Sequence, residues 1–291
     1  SEHIIDEIKT NKQDLIKFLS NKEENYSIPV SKVQENYDLT SSQKRLWILS
    51  QFEGGSLAYN ISNVFVLKGD FSFANLETAF KTVIQRHDSL RTSFRKDDKG
   101  DIKQFILDYS QVDFDVDFQD ISVSGASFAK KIIEEEFRNQ FDLTQAPLVR
   151  AKIIKLSNIE HILAITIHHT IGDGFSLDIL TKEIIQIYNA LINDSKISLP
   201  ALKIQYKDYA QWLKSDIVLE RLEKQKTFWL KEFEGELPIL NLPSFKKRPI
   251  IQSYNGETIS HIFDQNFSKK VKKFASQHDA TLFMLLMSGV N

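Results

Sequence analysis

Two strongly apolar strands set the frame for this chain. Leu148–Leu156 and His161–His168 follow one another closely, and the centre of the second, Ile162–Ile167, is apolar at nearly every position. A strand with one wet face alternates apolar and polar residues, whereas one without alternation is buried on both faces. The chain then turns through His168-His169-Thr170-Ile171-Gly172-Asp173-Gly174. Beyond the turn Leu177, Leu180, Ile184, Ile187 and Leu191 recur at helical spacing, which predicts an amphipathic helix over about 175–192. A buried strand, a tight turn and a long helix in this order project side chains from a rigid edge.

Other segments read as mixed α and β. Helices are expected at Ser41–Phe52, Phe73–His87, Ala126–Phe137 and within Tyr206–Glu234; strands at Val64–Leu67, Arg91–Phe94, Lys103–Leu107 and Val112–Phe118. Ile4, Ile5, Ile8, Leu15, Ile16 and Leu19 predict a short amphipathic helix ahead of a polar linker, so residues 1–25 read as an appendage. That appendage either packs back as a surface helix or docks an upstream protein. Leu237–Pro249 holds three of the six prolines and reads as a connection. A strand at Gly256–Asp264, a helix at Phe267–His278 and an apolar helix start at Ala280–Asn291, capped by Asp279, follow. The expected organisation is an appendage over 1–25, a main lobe over 26–236, and a second unit over 237–291 that has only begun where the sequence stops.

Composition narrows the function. With 42% apolar and 26% charged residues the chain is typical of a globular protein, and its net charge of −2 gives no footprint for nucleic acid. No apolar run reaches the roughly 20 residues of a membrane span. There are no cysteines, which removes disulfides, thiolate catalysis and cysteine-ligated zinc; the expected location is the cytoplasm. There is no Gly-x-Ser-x-Gly elbow and no phosphate-cradling glycine loop.

Three readings compete for the histidine pair. Neighbours in an extended segment face opposite ways, which disfavours chelation of one metal ion, and no metal site is expected. A buried structural histidine is the plain alternative. The third reading is general-base or proton-positioning work, for which an unperturbed pKa near ~6.5 suits histidine. Gly172 and Gly174 would let the backbone turn tightly, and Asp173 stands where it can cap the helix. If His169 works, it does so without an acyl-enzyme, on a donor already activated, for instance as a thioester.

At this point the sequence resembles the condensation domains of nonribosomal peptide synthetases, whose signature is His-His-x-x-x-Asp-Gly. Four further strings carry the likeness: Leu39–Trp47 with Gln43, Arg45, Leu46 and Trp47, continued by Gly55–Ile61; Arg86–Phe94, with Asp88 where Glu is commoner; Phe141-Asp142-Leu143 with Pro147–Arg150; and Tyr206–Trp212. The likeness runs from about residue 36 to the C-terminus. It implies an α/β fold (an α+β sandwich), a lobe similar to chloramphenicol acetyltransferase with a mixed sheet flanked by helices, followed by a truncated second lobe.

The resemblance further implies that His169 is the catalytic residue, acting on the α-amine of an acceptor as it attacks a donor thioester. His168, Asp173 and Gly174 are then supporting residues. Family members pair this aspartate with an arginine, for which Arg86 or Arg91 is expected, with an arginine of the second lobe as the alternative. No cofactor is expected to bind directly; the substrates ride on the phosphopantetheine arms of upstream donor and downstream acceptor peptidyl carrier proteins, with an upstream synthetase docking through residues 1–25. Epimerization relatives usually carry Trp where Leu177 stands, and heterocyclizing relatives replace the histidines with aspartates, so the pattern is more similar to domains that take an L-configured donor. An inactive excised lobe that serves as a carrier or docking module, or an epimerization-type relative, is the alternative.

Overall fold

The computed structural model describes residues 10–14, 16, 27–52, 54–123, 126–237, 239 and 259–290. The chain divides into two compact units, Ser1–Pro243 and Ser244–Asn291. Most of the segment 1–25 and of the connection 237–249 lies outside the described residues; within the first, residues 10, 12–14 and 16 are helical.

In the first unit the two apolar strands, β6 (Val149–Ser157) and β7 (Glu160–His168), form an antiparallel hairpin with a bulge between Lys155 and Ser157. β2 (Asn60–Lys68) pairs along the full length of β7, from Asn60 opposite His168 to Lys68 opposite Glu160. β5 (Asp117–Asp120) joins β6 in parallel, which gives the mixed order β2-β7-β6-β5. β7 is therefore paired on both edges.

It is also covered on both faces. The helices Phe73–Arg86 and Gly174–Ile192 bury Leu76, Phe80, Val83, Leu177, Ile184 and Ile187 against Leu163, Ile165 and Ile167. Beneath the sheet, the helix Ala126–Phe137 sets Ala129 and Ile132 against Ile121 and Ile154. Each of the Val, Leu, Ile and Phe side chains contributes about 1.5–3 kcal/mol on burial, so the end of β7 is held firmly in place. A smaller antiparallel sheet, β1 (Tyr37–Asp38), β4 (Ile102–Ile106) and β3 (Thr92–Lys96), stands beside this layer in the order β1-β4-β3.

Several expected boundaries shift for physical reasons. Over Val112–Phe118 the alternation is real, since Phe114 and Val116 are buried and Phe114 stacks on Phe80 at 5.9 Å. Residues 112–116 find no partner strand, and the ladder covers only Asp117–Asp120. The helix expected within Tyr206–Glu234 is two helices, Tyr206–Trp212 and Asp216–Glu232. Ser215 divides them: its hydroxyl donates to the Trp212 carbonyl at 2.8 Å, closing the first helix as the second begins.

In the second unit the helices Gln265–Gln277 and Leu282–Ser288 are present. The cap of the latter is Thr281, whose Oγ1 accepts from the Met284 amide, and not Asp279, which takes a positive φ of 50° in the preceding turn. Residues 259–264 are not a strand, because alternation alone does not supply a neighbour to pair with. No described helix is long and apolar enough to cross a membrane.

Candidate active site

The turn after β7 separates the two histidines. Both backbone amides are still held as in a strand: His168 N–H donates to Leu148 O at 3.0 Å and His169 N–H to Tyr59 O at 2.9 Å. Successive side chains of extended backbone go to opposite sides, and here one side is protein and the other a cavity.

His168 is fully buried, with the Phe141 ring edge-on at 6.2 Å. Its Nδ1 accepts from the Thr170 amide at 3.2 Å and meets the Thr170 hydroxyl at 2.8 Å, so Nε2 carries the proton. That Nε2 finds no hydrogen-bond partner. Burial drives the pKa down to about 4, against a small opposing effect of the Ser56 backbone. The ring is neutral at physiological pH.

His169 is exposed and lines a cavity of about 340 Å³ with Arg45, Tyr59, Gly172, Asp173 and Tyr206. Its Nδ1 lies 2.9 Å from the Gly172 carbonyl oxygen. A carbonyl only accepts, so Nδ1 carries the proton and Nε2 is left with a lone pair. The Tyr59 ring meets the imidazole in a T-shaped arrangement, with centroids 6.4 Å apart.

Asp173 caps the helix Gly174–Ile192. Its Oδ1 accepts from the Ser176 amide at 2.8 Å and the Ser176 hydroxyl at 2.7 Å, and these bonds hold its pKa below the usual carboxylate value. Asp173 is thus an ionised anchor for the turn. The expectation about the glycines needs correction. Neither Gly172 nor Gly174 has a positive φ. Gly172 is tightly packed, since a Cβ there would stand 3.0 Å from Ile167 Cδ1 and 3.1 Å from Ser176 Cβ, so those side chains would have to shift; at Gly174 a Cβ would meet open space.

Arg86 and Arg91 do not pair with Asp173. Arg86 Nε bonds Glu183 Oε1 at 3.2 Å and its Nη2 the Pro200 carbonyl at 2.5 Å, while His87 Nε2 takes the other Glu183 oxygen at 2.6 Å. Arg91 bonds Asp88 at 2.6 Å and the carbonyls of Ile84 and Leu107. Both arginines sit behind the sheet's covering helices, where they satisfy buried carboxylates and loop carbonyls. Arg86 acts on the motif only at a distance, by fixing Glu183 in the middle of the helix that Asp173 caps.

Gln43 is the positioning residue that local reading undervalued. It is buried, completes a capping box with Thr40, and donates from Nε2 to Gln104 Oε1 at 3.1 Å and to the Thr170 carbonyl at 3.2 Å. One amide thereby ties the helix Ser41–Ser50 to the small sheet and to the turn after His169. A larger apolar cavity of about 400 Å³, lined by Phe65, Leu67, Ile184 and Tyr188 among others, lies along the later part of β2, away from the histidines. Among the described residues no group of three or more metal-ligating side chains converges.

Comparison with known proteins places this arrangement. The condensation-domain family model matches residues 33–291. Bacitracin synthase 3 of Bacillus licheniformis is 38% identical over 272 residues, 93% of this chain and 4% of that protein. Tyrocidine synthase 3 of Brevibacillus parabrevis is 36% identical over 266 residues, 91% of this chain and 4% of that protein. The chain therefore spans only a small fraction of the length of these curated relatives. Among solved structures, the X-domain from teicoplanin biosynthesis superposes with a TM-score of 0.72 at 26% identity, covering 88% of this chain and 56% of that one. The starter condensation domain of rhizomide synthetase shares the fold, with a TM-score of 0.62 at 22% identity over 70% of this chain and 49% of that one. A mixed sheet flanked by helices, a histidine pair at the end of its central strand and a family match across nearly the whole sequence converge on one conclusion: the chain belongs to the condensation-domain family of the nonribosomal peptide synthetases.

Proposed function

We propose that this domain forms an amide bond between a donor acyl thioester and the α-amine of an acceptor aminoacyl group, each carried on the phosphopantetheine arm of a carrier protein. The observation that carries the reading is His169: an exposed imidazole in a cavity, with Nδ1–H spent on the Gly172 carbonyl and Nε2 available as acceptor. That nitrogen takes a proton from the attacking amine or holds the amine in line. His168 and Asp173 act on the turn and not on protons.

The chemical demand is modest. A thioester already reacts with amines, and well-oriented groups reach effective molarities of ~10⁵–10⁸ M. Proton handling by His169 adds roughly 10²–10⁴-fold. The donor is L-configured, the reaction runs in the cytoplasm, and residues 1–25 receive an upstream synthetase. The test is single-turnover condensation from loaded carriers in the intact synthetase: His169→Ala must lower amide formation, and unchanged product would sink the assignment. Paired L- and D-aminoacyl donors decide the stereochemical part. Deletion of residues 1–25 must weaken affinity for the upstream partner.

A further inference from the structure

Most arginines of the first unit that bear on the fold have partners. Arg86, Arg91 and Arg150 each bond a carboxylate, those of Glu183, Asp88 and Glu136. Arg95 lies over the Phe105 ring at 4.2 Å. Arg45 differs. It is exposed, lines the cavity that holds His169, and makes no hydrogen bond or ion pair from its guanidinium among the described residues.

Its helix is nonetheless fixed. Thr40 and Gln43 cap it, Gln43 bonds it to Gln104 and to the turn after His169, and Leu46 is buried. The carboxylate in the same cavity, Asp173, has Oδ1 committed to Ser176. A guanidinium held on a rigid element in the cavity of a working imidazole, with no ion-pair partner among the described residues, is suited to negative charge that is absent at rest and appears during reaction.

We propose that Arg45 is a second catalytic residue, the cation that receives the carbonyl oxygen of the donor thioester as that oxygen becomes an oxyanion. The proposal rests on the reading of this cavity as the condensation site. In the first step the acceptor nitrogen forms a bond to the thioester carbon, and the C=O π pair moves to oxygen, where Arg45 donates hydrogen bonds. His169 Nε2 takes a proton from the nitrogen. In the second step the oxygen pair re-forms C=O, the C–S bond breaks, and the sulfur leaves with its pair and takes the proton from His169. Acyl thioester and amine become amide and thiol, with no other reactant.

An interaction made only in the transition state lowers kcat and leaves KM unchanged when it is lost. Loss of an enclosed oxyanion donor costs roughly 10²–10³-fold; Arg45 is exposed to water, so Arg45→Gln should lower kcat by about 10- to 100-fold. The measurement is steady-state and single-turnover condensation by the intact synthetase with both carriers loaded, alongside thermal unfolding. The expected result is a fall in kcat, carrier KM within about twofold, an unchanged melting temperature, and an unchanged midpoint of the pH–rate profile. Arg45→Lys should recover part of the rate. Lys44→Gln, which removes the neighbouring exposed cation outside the cavity, should change nothing.

A normal kcat in Arg45→Gln while His169→Ala is impaired overturns the role of Arg45 alone. A rise in KM at constant kcat also overturns it, since the cation would then hold the ground state. A drop in melting temperature that accounts for the lost activity makes Arg45 structural and overturns it too. If His169→Ala is itself unimpaired, the reading of the cavity fails and takes Arg45 with it.

Discussion

Two regions meet at the end of β7, and adjacent residues report on both. On the protein side His168 is sealed among apolar groups, with Nδ1 stripped of its proton and the ring neutral. On the cavity side His169 is wet, holds its proton on Nδ1 and keeps Nε2 unoccupied. The same side chain, one residue apart, is a packing element in one region and, in the proposed reaction, a reagent in the other. Strand geometry makes the difference, because consecutive side chains leave the backbone on opposite sides.

The comparison breaks if the two histidines behave alike. The largest expected effect is on rate: His169→Ala should lower single-turnover amide formation by roughly 10²–10⁴-fold while the denaturation curve stays where it was. The second is a pH effect confined to the buried side. The folded-state pKa of His168 is lowered to about 4, so between there and about 6.5 the unfolded chain binds a proton that the folded chain refuses. Stability is then complete above about pH 6.5 and falls as pH drops toward 4, by about 3 kcal/mol in all. His168→Asn keeps an acceptor for Thr170 and removes the titration. Equal pH slopes for variant and parent in chemical denaturation would show that His168 is not the buried neutral ring described.

Smaller effects sharpen the same boundary. Arg86→Ala removes a charge-assisted bond from Glu183, a side chain 12% exposed, and leaves it only His87. The cost should be about 2 kcal/mol of stability, with kcat of the folded fraction preserved; a selective loss of kcat would return Arg86 to the site. Asp173→Ala deletes a helix cap and should cost about 1 kcal/mol. Asp173→Ser, which can still cap, should recover most of it, and failure to do so would give the carboxylate a role beyond the turn.

Much of the fold was legible because burial leaves a pattern. Near-continuous apolarity over Ile162–Ile167 announced a strand covered on both faces, and helical spacing from Leu177 to Leu191 announced its partner. The strand near Val112 was misplaced because alternation reports which side chains are buried but says nothing about whether a neighbour offers a ladder. In the site, the motif pointed to His169, Asp173 and the turn between them. It did not reveal that Gly172 supplies the carbonyl that sets the tautomer, or that Gln43 reaches across 127 residues to hold the turn.

What the sequence determined by itself was the family, the central strand and the candidate histidine, all carried by local pattern and motif order. Which groups are paired emerged only once the chain was folded. Arg86 and Arg91 looked like partners for Asp173 and are bound elsewhere, while Arg45, read as one letter of a motif, lines the cavity of His169 and makes no ion pair among the described residues. The reason is physical. Periodicity records the environment of a residue averaged along its own element, whereas pairing depends on which elements the packed core brings within hydrogen-bond distance, and distant segments of the chain meet only when it folds.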